Sequence, residues 1–490
     1  MNGVNGNGKS RHYSTFVLLL LASIAIMVMY VEAMAFPSLP KVMEDFGLTP
    51  SDYALASWVV TIYLVVGAVA IPVFGKLGDI YGKKKMLVIT MVIYSTMVTL
   101  TGFSRDISDS IYVMITFRAF QGIAFCMFPL AFSIIRDEFP RDRIAIAQGV
   151  ISAMFGVGTA VGFVVGGYVT DSLGWNWTYH TVAPFAVIAT VVVAFKVRES
   201  PVRMKAKVDF VGAAFLGAAM VSFLVGVTET ENRSWGDPLV VSLLVVAACF
   251  LAALVYWLPR AKDPLIRPAL IKEKDIALTN VIGFIIGFGL FTSNQTIAAL
   301  AGFNFGLDAT DIGLLMLPMS IVTLVLGPTV GLIVRRYGPK YPMAFGMSLA
   351  ILGFVMLYFF HASKLDVMLG VSVMGAGGGF SMVSSINMII LCTPLQETGV
   401  STAMNMIVRT SGSVVGPALA AVIISMNSHP GVIPGTEIPD DLAYQVIFLM
   451  SAAVMAVGVL FSLFLSNKRA LPESGRFAAA SPASVPSEPE

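Results

Sequence analysis

Three charges stand inside long apolar runs of this chain, and they are the residues whose placement most invites chemistry. Glu32 lies in Tyr30-Val-Glu32-Ala-Met-Ala-Phe36-Pro37, Arg118 in Arg118-Ala-Phe-Gln121-Gly122, and Arg409 in Asn405-Met-Ile-Val-Arg409-Thr410-Ser411-Gly412. A charge in hydrocarbon costs about 2.5 kcal/mol or more unless it faces water or a partner, so each is a functional candidate by default. Glu32 is the sole acid well inside such a run. Burial and a neighbouring arginine pull a carboxyl group's proton affinity in opposite directions. A carboxyl balanced between them near neutrality can take a proton on one side of a membrane and release it on the other. Glu32 and Arg118 are therefore the candidate proton-coupling pair, with a static ion pair between two helices as the alternative. Arg409 either attracts an anionic group of a ligand or bonds the backbone carbonyls of a broken helix.

The elements that carry these residues follow from composition. Charged residues make up 12% of the 490 and apolar residues 57%. The charged share is about half the ~25% usual in soluble domains. About 20 apolar residues in helical form span a bilayer's hydrocarbon core. Fourteen such runs can be marked: Thr15–Phe36, Tyr53–Phe74, Met86–Phe103, Ile111–Ile135, Ile144–Thr170, Thr178–Phe195, Phe210–Thr228, Leu239–Leu258, Ile276–Gly302, Ile312–Val334, Tyr341–Phe360, Val367–Leu391, Val400–Met426 and Leu442–Leu465. With both termini in the cytoplasm, the inner loops and tails hold 25 of the 31 Lys and Arg. The outer loops hold four (Lys41, Arg105, Arg233 and Lys364), and Arg118 and Arg409 lie within spans. That asymmetry is the one expected of cytoplasmic loops. In this orientation Glu32 and Arg118 both lie roughly 8–12 Å deep in the outer leaflet, at 1.5 Å of rise per residue.

The chain also repeats itself. Gly327-Pro328-Thr329-Val330-Gly331 through Tyr337-Gly338 echoes Ile71-Pro72-Val73-Phe74-Gly75 through Tyr81-Gly82, with Pro, both Gly positions and Tyr at an offset of 256. Gly149, Gly162 and Gly166 recur as Gly399, Gly412 and Gly416 at an offset of 250. Span 2 thus matches span 10 and span 5 matches span 13. The fold class implied is all-α integral membrane, two six-helix halves with two linker helices inserted between them. The divisions are a cytoplasmic tail at 1–14, the first bundle at 15–200, the linker pair at 201–260, the second bundle at 261–466, and a Ser/Pro/Ala-rich, disordered cytoplasmic tail at 467–490. Parallel halves of this kind bind substrate between them near the midplane.

The loop Gly75-Lys-Leu-Gly-Asp79-Ile-Tyr-Gly82-Lys83-Lys84 resembles the loop signature of the major facilitator superfamily at every position. Arg118-Ala-Phe-Gln121-Gly122 is similar to that family's R-x-x-Q-G motif. Gly149, Gly158, Gly162, Gly166 and Gly167 resemble its antiporter signature, in which Phe163 replaces the family's proline. Fourteen spans with a central pair are similar to the drug:proton antiporter branch. The resemblance implies a conformational latch formed by Gly75, Asp79, Gly82, Lys83 and Lys84, with Asp79 paired to a cation such as Arg136. It also implies proton-coupled efflux across the plasma membrane by alternating access. In the second copy Arg335 replaces Asp79, so the latch cannot be symmetric. The glycine seam is expected to be a tight contact between the halves, and Gly162→Leu to block transport without blocking expression.

Around the carboxyl, Phe36, Trp58, Tyr63, Gln121, Phe125, Phe155, Asn294, Gln295, Asn387, Asn405 and Arg409 are the candidate cavity residues. Aromatic and amide groups about one acid suit an amphipathic small molecule, cations included. A proton-coupled symporter or a uniporter of a metabolite is the alternative. No G-x4-G-K-[ST] phosphate loop occurs in a cytoplasmic segment, so a gradient is the expected energy source and no cofactor is expected. The four His form no metal-ligand cluster and no catalytic set converges, which disfavours a membrane enzyme. Long extramembrane segments of a receptor are absent as well. The three Cys, an odd number, argue against a disulfide framework. The first apolar run is too long for a cleaved signal. The expected partners are a small-molecule substrate, protons and the lipid bilayer, with no nucleic acid and a monomeric state.

Overall fold

The computed structural model describes residues 4–139, 141–200, 207–264, 267–393, 398–430 and 437–466. Among these, 14 helices are long and apolar enough to cross a membrane. They are numbered here as spans 1 to 14: His12–Ala33, Pro50–Tyr81, Lys83–Gly102, Ile111–Glu138, Ala147–Leu173, Trp175–Lys196, Phe210–Thr228, Pro238–Trp257, Lys274–Asn304, Ala309–Tyr337, Lys340–Phe359, Lys364–Cys392, Ser401–Met426 and Asp441–Leu463. Every expected run falls on one of them. The helix of span 1 begins at Val4, within the segment expected to be a tail, and after a break at Met34 continues as Ala35–Asp45. The expected tail at 467–490 lies outside the described residues.

The repeat is visible in the packing. Span 1 packs on span 5 as span 9 packs on span 13, and spans 3 and 6 pair as spans 11 and 14 do. Spans 2 and 4 correspond in the same way to spans 10 and 12. The halves meet along two seams, span 5 against span 10 and span 2 against span 13, while linker span 7 leans on spans 2 and 13. Gly82 and Gly338, equivalent in the repeat, both hold positive φ (122° and 82°) where spans 2 and 10 end. A side chain is strained in that backbone region, so glycine is what permits each tight exit.

Span 4 is not one continuous α-helix. It runs Ile111–Gln121, tightens to a 3₁₀ turn over Gly122–Cys126, and resumes as Met127–Glu138. Pro129 is the third residue of the resumed helix. It has no N–H for the carbonyl of Phe125 four residues back, and its ring crowds that carbonyl, which distorts the preceding turn. Gly122 lets the distorted segment lie on the backbone of span 2, where an added Cβ would collide with the carbonyl of Tyr63. In a bilayer, close backbone approach of this kind is the main source of helix affinity.

The glycine seam of span 5 packs differently from the expectation. A Cβ at Gly158 would lie 2.6 Å from Met29 Cβ, and one at Gly162 would lie 2.7 Å from both Ala33 Cβ and the Tyr30 carbonyl. Gly166 abuts Met34 in the same way. All three press on span 1 of their own half. Their second-half equivalents repeat the arrangement, Gly412 against Phe284 and Phe288 and Gly416 against Phe288 and Thr292 of span 9. The seam is therefore a contact inside each half, and only Gly167 crosses to the other half, where it meets Ala309. Gly149 has nothing within 4 Å. The cause is the hundred-degree turn per residue, which puts positions 158, 162 and 166 on one stripe and 167 off it. Gly162→Leu is now expected to lower the thermal stability of the purified protein and its expression together with transport. Overpacking of this order costs about 1–3 kcal/mol or more. A variant that melts like the wild type in detergent would contradict this packing.

Candidate functional site

One central cavity of about 170 Å3 lies between the halves, lined by spans 1, 2, 4 and 5 of the first and spans 9, 10, 12 and 13 of the second. Glu32, Phe36, Phe125, Phe155, Asn294 and Arg409 line it, as the sequence led us to expect. Glu32 is the single acid among the lining residues and Arg409 the single base. Spans 5 and 13 present matched faces: Gly156, Thr159 and Phe163 from one, Met406, Arg409 and Ser413 from the other, each trio related by the offset of 250. Spacings of three and four residues put each trio on one helical face.

The remaining candidates lie elsewhere. Trp58 donates its indole N–H to Thr228 Oγ1 of linker span 7 at 2.7 Å. Gln295 is fully buried with neither side-chain amide atom hydrogen-bonded, while its backbone carbonyl accepts the Tyr53 hydroxyl at 3.1 Å. Asn387 bonds back to the Val383 carbonyl at 2.8 Å. Asn405 donates to Asn280 Oδ1 at 3.2 Å and packs over Gly283, which ties span 13 to span 9. Trp58, Asn387 and Asn405 bond other side chains or the local backbone, and residue type alone does not tell that use from cavity lining.

Arg118, Gln121 and Tyr63 form a separate cluster behind the cavity wall. Arg118 is fully buried, donates Nε to the Val59 carbonyl at 2.7 Å and one terminal nitrogen to Gln121 Oε1 at 3.0 Å, and lies 4.5 Å from the centre of the Tyr63 ring. Gln121 in turn donates to the carbonyl of Met97 and to Thr101 of span 3. The R-x-x-Q-G residues thus bolt span 4 to spans 2 and 3. Arg118 does not line the cavity and makes no ion pair with Glu32, contrary to the static-pair alternative. Glu32 is 6% exposed and its Oε2 has no hydrogen-bond partner.

The cytoplasmic latch is also rearranged. Asp79 faces Lys83 at 3.8 Å. Lys83, fully buried, makes its short ion pair with Asp137, which Arg136 approaches at 3.5 Å and Ser200 also bonds. Arg136 itself is half-exposed and forms no direct pair with Asp79. Lys84 contributes its backbone N–H, which Glu199 Oε1 accepts at 3.1 Å, rather than its charge. The buried ammonium is central because Lys83 opens span 3 immediately behind Gly82, pointing into the helix packing.

The cavity has one closed end. Above it, Phe36 meets Phe163 and Phe291 with ring centres 6.4 and 6.3 Å apart. Phe163, the residue that stands where the family pattern has proline, is thus an aromatic piece of this roof. Asp171 at the outer end of span 5 accepts the backbone N–H of Ala309 at 3.0 Å and of Thr310 at 2.6 Å, the first residues of span 10. A carboxylate capping a helix N-terminus is favoured both by hydrogen bonding and by the helix dipole. Ala54 N–H to Ser425 Oγ, 2.8 Å, closes the span 2 and span 13 side. At the cytoplasmic ends the pattern reverses: Gly75, Gly149, Gly327 and Gly331 have open space about them. The described contacts between the halves around the cavity are thus concentrated at its outer end. Met29, Phe291, Met319, Ser320, Thr323, Met382 and Met406 also line it, and no sequence signal separated them from the chain's other Met, Ser and Phe.

Two pseudo-symmetric helical bundles about a gated central cavity define a membrane transporter. The profile of the major facilitator superfamily matches residues 21–265 and 279–487. The chain belongs to that superfamily and is a multi-pass protein of the plasma membrane. It is 27% identical to an uncharacterized MFS-type transporter of Mycobacterium tuberculosis, over 89% of this chain and 67% of that protein. It is 25% identical to the multidrug transporter protein MdtP of Bacillus subtilis (80% and 72% covered) and 23% identical to the tetracenomycin C resistance and export protein of Streptomyces glaucescens (79% and 71%). The human organic anion transporter MFSD10 has the same fold, with a TM-score of 0.60 at 14% identity, over 92% of this chain and 99% of that one.

Proposed function

We propose that the protein exports amphipathic small organic compounds from the cytoplasm, driven by protons moving inward. The observation that carries this is Glu32, one acid with an unpartnered carboxylate oxygen in a cavity shared by both halves. A proton and a cationic group of the substrate compete for that carboxylate, so one displaces the other and the two cross in opposite directions. The aromatic and Met walls (Phe125, Phe155, Phe291, Met319, Met406) suit an apolar body without fixing its shape. Among the relatives, the tetracenomycin C resistance and export protein supports the outward direction and the multidrug transporter protein MdtP a breadth of cargo. The test is proton release from purified protein on adding amphipathic amines across a pH series. About one proton should leave per molecule bound while Glu32 is protonated. Saturable movement of these compounds in proteoliposomes without any proton stoichiometry would replace antiport by uniport or by coupling to another ion.

A further inference from the structure

The cavity has an acidic wall and a basic one, and together they speak to the charge type of the cargo. Glu32 comes from the first half and Arg409 from the second. Neither makes an ion pair or a side-chain hydrogen bond with another described residue. Opposite charges that face one cavity without pairing to each other leave both groups open to a ligand's charges. A simple cation seated on Glu32 leaves Arg409 facing a second positive charge. A simple anion on Arg409 leaves Glu32 in the converse position. A dipolar molecule satisfies both.

We infer that the preferred cargo is a zwitterionic amphiphile, its cationic group on Glu32, its anionic group on Arg409 and its apolar body between Phe125, Phe155 and Phe291. Ser320 Oγ and Asn294 Oδ1 are buried, unpartnered and in the same wall, so the Ser320 hydroxyl and the Asn294 amide are available to a ligand's polar groups. The repeat does not demand the arginine: the position equivalent to Arg409 in span 5 is Thr159, which also faces the cavity. The positive wall is therefore a property of this site rather than of the scaffold. The inference rests on the transport reading above and adds a charge balance to it. A zwitterion leaving for one entering proton moves one positive charge inward, whereas a monocation exchanged for a proton moves none.

The test uses matched trios on naphthyl, quinoline and indole cores: the amino acid, the amine lacking its carboxylate and the acid lacking its amine. Binding to the purified protein is measured by calorimetry, and current by electrophysiology on proteoliposomes. The wild type should bind the amino acid at least about tenfold tighter than either partial analogue, the scale of one added charge-assisted contact. Under exchange for a proton the amino acid should carry an inward current and the amine none. Arg409→Gln should weaken the amino acid and tighten the amine, reversing the preference, and Arg409→Lys should retain it in part. A wild type that prefers the amine, or an Arg409→Gln variant that weakens amine and amino acid equally, overturns the inference while the amine's transport keeps the efflux reading intact. Binding and movement of none of the compounds on any core overturns both.

Discussion

Glu32→Gln is expected to uncouple the transporter. Glutamine keeps the shape and hydrogen-bonding reach of a protonated glutamate but has no proton to release. In the wild type, proton and substrate compete at one carboxylate, and the coupling between two such ligands is typically 5–150-fold in affinity. In the variant the pH dependence of substrate affinity should collapse to within about twofold. Uphill export under a pH gradient should stop, and no protons should be released on binding. Glu32 is the single acid lining the cavity, so cationic cargo, left without a counter-charge there, should also bind more weakly. Proton flux driven by substrate at the wild-type rate in Glu32→Gln proteoliposomes would remove Glu32 from the mechanism.

The fold was almost wholly readable from the chain because a bilayer enforces a simple rule. Every backbone polar group must be satisfied inside the helix, so length and apolarity mark each span. The Pro-Gly-Tyr-Gly echo between spans 2 and 10 went further, since both copies mark the same tight exit at Gly82 and Gly338. The break in span 4 was less visible. It depends on Pro129 acting together with the approach of Gly122 to Tyr63, and the second of these is a tertiary fact.

The site was legible only in part, and the misses share a cause. Helical periodicity says which residues share a face but not which neighbour that face meets. Glu32, Phe36, Phe155 and Arg409 faced the cavity, whereas Asn405, four residues before Arg409, turned to Asn280 in its own half. The glycine seam failed the same way: its stripe was correct and its partner was span 1 rather than the other half. In the latch, Lys83 rather than Arg136 lies against Asp79, because a lysine next to the Gly82 turn projects into the bundle while Arg136 reaches the surface.

The joint that does cross between the halves yields the second large effect, from Gly313→Ala. Gly313 of span 10 lies against the backbone of Phe163 in span 5, and an added Cβ would collide with the Phe163 carbonyl oxygen and lie 2.7 Å from its carbon. Backbone cannot yield as a flexible side-chain tip can, so the methyl costs about 1–3 kcal/mol wherever these helices touch. They touch while the outside is sealed, under the Asp171 cap on Ala309 and Thr310. The cost therefore falls on one state of the cycle and should move the equilibrium toward outward opening by roughly 5–150-fold. Spin labels at the exposed positions Leu173 and Leu314 should report longer distances, and turnover should fall because the cavity is rarely presented to the cytoplasm. Asp171→Asn should shift the distances in the same direction by less, since it weakens a cap worth about 1 kcal/mol instead of adding a clash. Gly162→Ala, which crowds span 1 within a single half, should lower stability and leave those distances where they are. An unchanged distance distribution with normal transport in Gly313→Ala would mean that spans 5 and 10 do not form the outer seal.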